Sequence, residues 1–186
     1  FGTGILILYT GLVEAVPAPS YFWQAESLWG ALSRAGRTSA VLGWPSTWPA
    51  EPNRGTLVTD RFYYSVWEVF YRHVDDLPAV VHPAERVGWA RSFRVDPTRF
   101  TDADAARFFD PTPDLVRRFR APSLGIFARD PVSYLGRGVG MDRTDLALAA
   151  DLLQKEAPDF VAVYTTGFDL AAHGFWIERE PELFQG

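Results

Sequence analysis

The chain has 186 residues, 47% of them hydrophobic and 22% charged, enough material for the core of one α/β domain and a composition that argues against disorder. Its 23 acidic and 18 basic residues leave a net charge of −5, so nothing favours general affinity for a nucleic-acid duplex, and any phosphate must be met locally. Cysteine is absent, which removes disulfides, thiolate metal clusters and cysteine nucleophiles and leaves His, Asp and Glu as possible metal ligands.

The apolar opening, residues 1–9, lacks an initiator Met, a basic leader and a small-residue cleavage site, so it reads as a strand and not as a signal peptide. No apolar run approaches the ~20 residues needed to span a bilayer. No targeting segment is legible, and the compartment stays undetermined. Both ends read as cut, which predicts a piece of a longer protein.

Residues 5–10 form a β-rich run, followed by a Pro-containing connection over 11–19. Phe22, Ala25, Leu28, Trp29 and Leu32 recur at spacings of three and four, predicting an amphipathic helix over 22–35 that ends at Gly36. TSAVLGW, residues 38–44, is a buried strand, so this is the second half of a parallel-sheet unit. A proline-rich loop leads to a short strand at 56–59 and then Asp60. Residues 62–74 are aromatic and compatible with a helix, 79–82 are a brief apolar run, and 84–93 read as a helix. Thr101 is the N-cap of a helix with an acidic first turn, and another helix is expected over 113–119. Since this arginine-rich stretch shows no strands alternating with helices, residues 62–120 read as a helical insertion or cap. The α/β core then comprises 1–61 and 121–186, within a single partial domain.

Leu146, Ala149, Ala150, Leu153 and Ala157 predict a helix over 142–157, closed by Pro158. The preceding GRGVG, residues 136–140, lacks the strand and the Lys-Ser/Thr of a P-loop and is expected to be a flexible connection. FVAVY, residues 160–164, is a buried strand that delivers Asp169 to the carboxyl edge of the sheet, where open α/β folds place ligands. A carboxylate four residues before the His173 imidazole puts both on one side of a helical turn, where one zinc can join them.

The run P-D-F-V-A-V-Y-x-x-G-x-D-x-x-x-H-x-x-W, residues 158–176, resembles the segment of type I phosphodiesterase/nucleotide pyrophosphatase proteins, of the alkaline phosphatase superfamily, in which an Asp and a His bind one ion of a dinuclear zinc site. That resemblance assigns metal-ligand roles to Asp169 and His173. The block LWGALSRAGRTSAVLGWPSTWPAEPNRGTLVTDRF, residues 28–62, is similar to bacterial members, where such a segment follows the nucleophile region. Together the two blocks cover about a third of the chain.

The resemblance implies a partial alkaline-phosphatase-like fold: an open, mostly parallel sheet flanked by helices, with a helical insertion. It also implies hydrolysis of phosphodiester or pyrophosphate bonds in small phosphodiester or nucleotide substrates, with two Zn²⁺ in the complete enzyme and little metal held by this chain alone. The family's Thr or Ser nucleophile, its early Asp ligand and its later Asp-His pair and His find no counterpart here. Residues 1–5 resemble the stretch trailing the nucleophile, so the nucleophile is expected upstream of Phe1, and Thr3 is not read as one. Phosphomutases and sulfatases share the metal scaffold, and a non-catalytic binding domain that retains the fold is the alternative of another class.

Other residues have plainer readings. Asp60 and Arg61 are expected to be a structural pair, His73 and His82 surface or packing histidines, and Trp44 and Trp48 core aromatics.

Overall fold

The computed structural model describes residues 18–63, 77–121 and 130–184. The expected strand at 5–10, Thr3, His73 and most of the aromatic stretch 62–74 lie outside them.

The first helix, α1 (Leu28–Arg34), is capped by the Ser27 side chain, which accepts from the Gly30 amide at 3.0 Å. It is shorter than the apolar stripe predicts. Ser27 is extended (φ −68°, ψ 155°), so the helix cannot continue back to residue 22, and residues 20–22 form a separate 3₁₀ turn. Trp23 still reaches the core, packing edge-on against Trp29 at 5.4 Å between ring centroids.

Strands β1 (Ser39–Trp44) and β2 (Gly55–Thr59) follow as expected. β1 is central: it pairs in parallel with β2 on one side and with β4 (Phe160–Val163) on the other. Its alternating side chains separate two cores. Val41 joins Leu57, Ala162 and Trp29 on the α1 face, whereas Ala40 and Leu42 join Val58, Leu148, Ala149 and Leu152 on the other. Burial on both faces explains why TSAVLGW reads as a continuous apolar run. Each fully buried Val or Leu here contributes about 1.5–3 kcal/mol of hydrophobic stabilisation.

β3 (Val81–His82) pairs antiparallel with β2, giving the order β3-β2-β1-β4 among the described residues. The stretch 62–120, read as a helical insertion or cap, also lends an edge strand to the sheet, at its brief apolar run 79–82. Val80 and Val81 are buried in the core, and two paired residues are too short a run to show alternation in sequence. The rest of that stretch supplies α2 (Val87–Ser92), α3 (Asp102–Ala105) and α4 (Pro113–Arg120). Thr101 and Asp104 close a capping box at the start of α3, as the acidic first turn predicts.

The largest departure is α5 (Pro131–Lys155), 25 residues long. Asp130 caps it by accepting from the Val132 amide at 3.1 Å, and Pro131 stands in the first turn, where its missing N–H costs nothing. The GRGVG run is therefore helical, not a flexible connection. Its glycines serve close packing: a Cβ on Gly136 would run into the Phe119 backbone, one on Gly138 into the Gly167 Cα, and one on Gly140 into the Tyr63 hydroxyl. The last α-helix among the described residues, α6 (Thr166–Arg179), starts three residues after the last strand residue. No helix among the described residues is long and apolar enough to cross a membrane.

Candidate functional site

The carboxyl ends of β1 and β4 converge on the first turns of α6, which carry the two sequence-predicted ligands. The Asp169 Oδ1 and the His173 Nε2 lie 3.6 Å apart, with the side chains 47% and 80% exposed. Asp169 emerges just past β4, and His173 follows one turn later on the same side of the helix. The fold thus brings the predicted pair together at the sheet edge that α/β topology favours for ligands.

Three further side chains frame this edge. Tyr164 stands beside Asp169; burial, and then the Asp169 charge, raise its phenol above its ordinary value. Trp44 contacts Tyr164 edge-on at 6.2 Å and Trp29 at 6.4 Å, and it remains 40% exposed. Asp142, on α5, accepts from the Gly167 amide at 2.9 Å. Burial raises the Asp142 carboxyl, while hydrogen bonds from the amides of Gly167, Phe168 and Thr166 oppose that shift.

One turn along α5, Asp145 is only 3% exposed, and burial, reinforced by the nearby Asp142 charge, pushes its carboxyl up to about 8. Gly43 makes room for it. At φ +65° this residue forms the bulge between Leu42 and Trp44, and a Cβ there would run into the Asp145 carboxylate. Sequence reasoning missed Asp142 and Asp145 as site residues. The stripe expected from the sequence was rotated from the true one: Leu146 and Leu153 are 52% exposed, and Ala150 and Ala157 also face solvent. The buried face is Leu148, Ala149 and Leu152, which Asp145 continues, and a carboxylate on the core side of a helix is unusual.

Large aromatics flanking such a pair are expected to anchor the turn by burial, but Phe168 is 76% and Trp176 50% exposed. Phe175, with Ala171, packs on the core of α4 and α5. Phe168 instead borders a cleft of about 360 Å³ whose lining includes Phe108, Leu146, Asp142 and Arg143. A larger cavity of about 630 Å³ lies beside α3 and α4. Its cations are engaged, Arg117 with Asp114 and Arg120 with Asp102, and the predicted ligands do not line it.

Of the residues given plain readings, His73 lies outside the described residues and Trp44, at 40% exposure, is not the core aromatic expected; Asp60, Arg61, Trp48 and His82 make structural contacts. Asp60 accepts from the Ser46 amide at 3.1 Å and the Thr47 hydroxyl at 3.4 Å, tying down the loop after β1. Arg61 is buried with its guanidinium 4.2 Å from the centre of the Trp48 ring. Trp48 donates from its indole nitrogen to the Pro78 carbonyl at 2.8 Å. His82 lies in β3, half-buried, ahead of a cis Pro83.

Comparison with curated proteins and with solved structures finds no match. The family model for type I phosphodiesterase / nucleotide pyrophosphatase matches residues 9–186, nearly the whole chain, and the chain therefore belongs to that family of hydrolases.

Proposed function

We propose that Asp169 and His173 hold one zinc ion in an enzyme that cleaves phosphodiester or pyrophosphate bonds of small or nucleotide substrates, with this chain carrying part of the active site. The observation behind this reading is the 3.6 Å separation of a carboxylate oxygen and an imidazole nitrogen, at the carboxyl edge of a parallel sheet. Ligand atoms bound to one tetrahedral zinc lie about 3–4 Å apart, and carboxylate with neutral imidazole is a suitable donor set. The exposure of both side chains leaves positions open for further ligands and substrate. Among the described residues no group of three His, Cys, Asp or Glu side chains could hold a metal, so the rest of the shell must come from other residues.

When bound, zinc supplies Lewis-acid stabilisation of phosphoryl oxygens and activation of a hydroxyl nucleophile. The chain's own groups prepare for that chemistry. Tyr164, packed edge-on against Trp44, walls one side of the Asp169 carboxylate. The turns of α6 keep Asp169 and His173 in fixed relation.

The test is hydrolysis of an aryl phosphodiester by the full-length protein. Asp169→Ala and His173→Ala should each lower kcat/KM by more than the roughly 10–100-fold typical of an outer-shell partner, with the fold intact by circular dichroism. Rates near wild type in either variant would remove that residue from the site.

A further inference from the structure

We propose that Asp142 is a positioning residue of this site: its carboxylate, reaching from α5, pins the first turn of α6 and so sets where Asp169 and His173 stand. The inference rests on the zinc reading of that pair.

The first amides of a helix have no partner within it, and an N-cap side chain usually satisfies one of them. In α6 the N-cap residue, Thr165, makes no such bond. Asp142 takes that role from a different helix, accepting from the Gly167 amide at 2.9 Å. A negative charge at this end is favoured by the helix dipole, so the turn is held by charge as well as by hydrogen bonds.

Two further observations make the clamp specific to the ligand pair. The Asp169 amide reaches the Thr165 carbonyl at a long 3.4 Å, so the turn bearing Asp169 is weakly held from within. Gly138 and Gly167 also approach so closely that neither tolerates a Cβ, which prevents α6 from sliding along α5 to another cap. Asp142, four residues after Gly138, therefore sets both the depth and the rotation of the first turn of α6. His173, one turn further along a rigid helix, moves with it.

The experiment measures Zn²⁺ affinity of the full-length protein by competition with a chromophoric chelator, alongside hydrogen exchange at the Gly167 amide. Asp142→Ala should bind zinc about 10–100-fold more weakly, the range seen when outer-shell partners of metal ligands are lost, and its Gly167 amide should exchange faster. Asp142→Asn keeps a side-chain oxygen that accepts N–H and should stay within about threefold of wild type, which also separates positioning from failure to fold. Wild-type zinc affinity in Asp142→Ala, with Asp169→Ala weakened, would overturn the positioning role and leave the zinc reading standing. Unchanged affinity in both would overturn the zinc reading itself. An Asp142→Asn variant as weak as Asp142→Ala would overturn the clamp as a hydrogen-bonding device.

Discussion

Gly138 of α5 faces Gly167 of α6 across a contact in which a Cβ on Gly138 would lie 3.1 Å from the Gly167 nitrogen and closer still to its Cα. Both sides are backbone, so neither can give way as a flexible side chain would. The contact brings α6, and with it Asp169 and His173, against the long helix.

Gly138→Ala separates this packing from helix propensity. Propensity alone favours Ala in a helix interior by about 1 kcal/mol, whereas overpacking a tight contact costs about 1–3 kcal/mol. The steric term should win, and urea unfolding should show net destabilisation. An unchanged or higher unfolding midpoint would show that α5 and α6 separate freely.

Asp145 should make stability fall with rising pH. Its folded-state carboxyl titrates near 8, well above the unfolded value of about 3.9, so the folded protein binds more protons than the unfolded chain between these limits. Stability contributed by the neutral form is complete below about pH 4 and is lost progressively up to about pH 8. Asp142 shifts in the same direction and adds to the slope. Thermal melts at pH 5 and pH 9 should show a smaller drop for Asp145→Asn than for wild type. Parallel profiles would mean that Asp145 is charged throughout.

Leu148 is fully buried between α5 and the sheet, whereas Leu153 on the same helix is 52% exposed. Leu148→Ala should cost about 2–5 kcal/mol, and Leu153→Ala should stay within about 0.5 kcal/mol of wild type. Equal losses at both sites would place the core elsewhere.

How much of this was legible in the sequence depended on how locally each feature is encoded. β1 showed because both of its faces are buried and its apolar run is unbroken. The Asp169 and His173 pairing showed because spacing along a helix is a local property, and so did the Thr101 N-cap. The extent of α5 did not, since glycines that look like loop residues are there to let Phe119, Gly167 and Tyr63 come close, contacts that are remote in sequence. β3 was hidden by its length. The roles of Asp142 and Asp145 follow from which residues α5 crosses, and a single sequence shows that only as an acidic interruption of an apolar stripe.

Metal dependence gives a further check. Chelation of the full-length protein should abolish aryl phosphodiester hydrolysis, and added Zn²⁺ should restore it, since the site supplies its charge stabilisation through the ion. Activity that survives exhaustive chelation would contradict metal catalysis.

Whether one zinc ion joins Asp169 and His173 is decided by X-ray diffraction from zinc-loaded protein, recorded on both sides of the zinc absorption edge. An anomalous peak is expected about 2.0–2.2 Å from both an Asp169 carboxylate oxygen and a His173 imidazole nitrogen. Zinc bound elsewhere in the protein, with Asp169 and His173 left uncoordinated, would contradict the zinc reading.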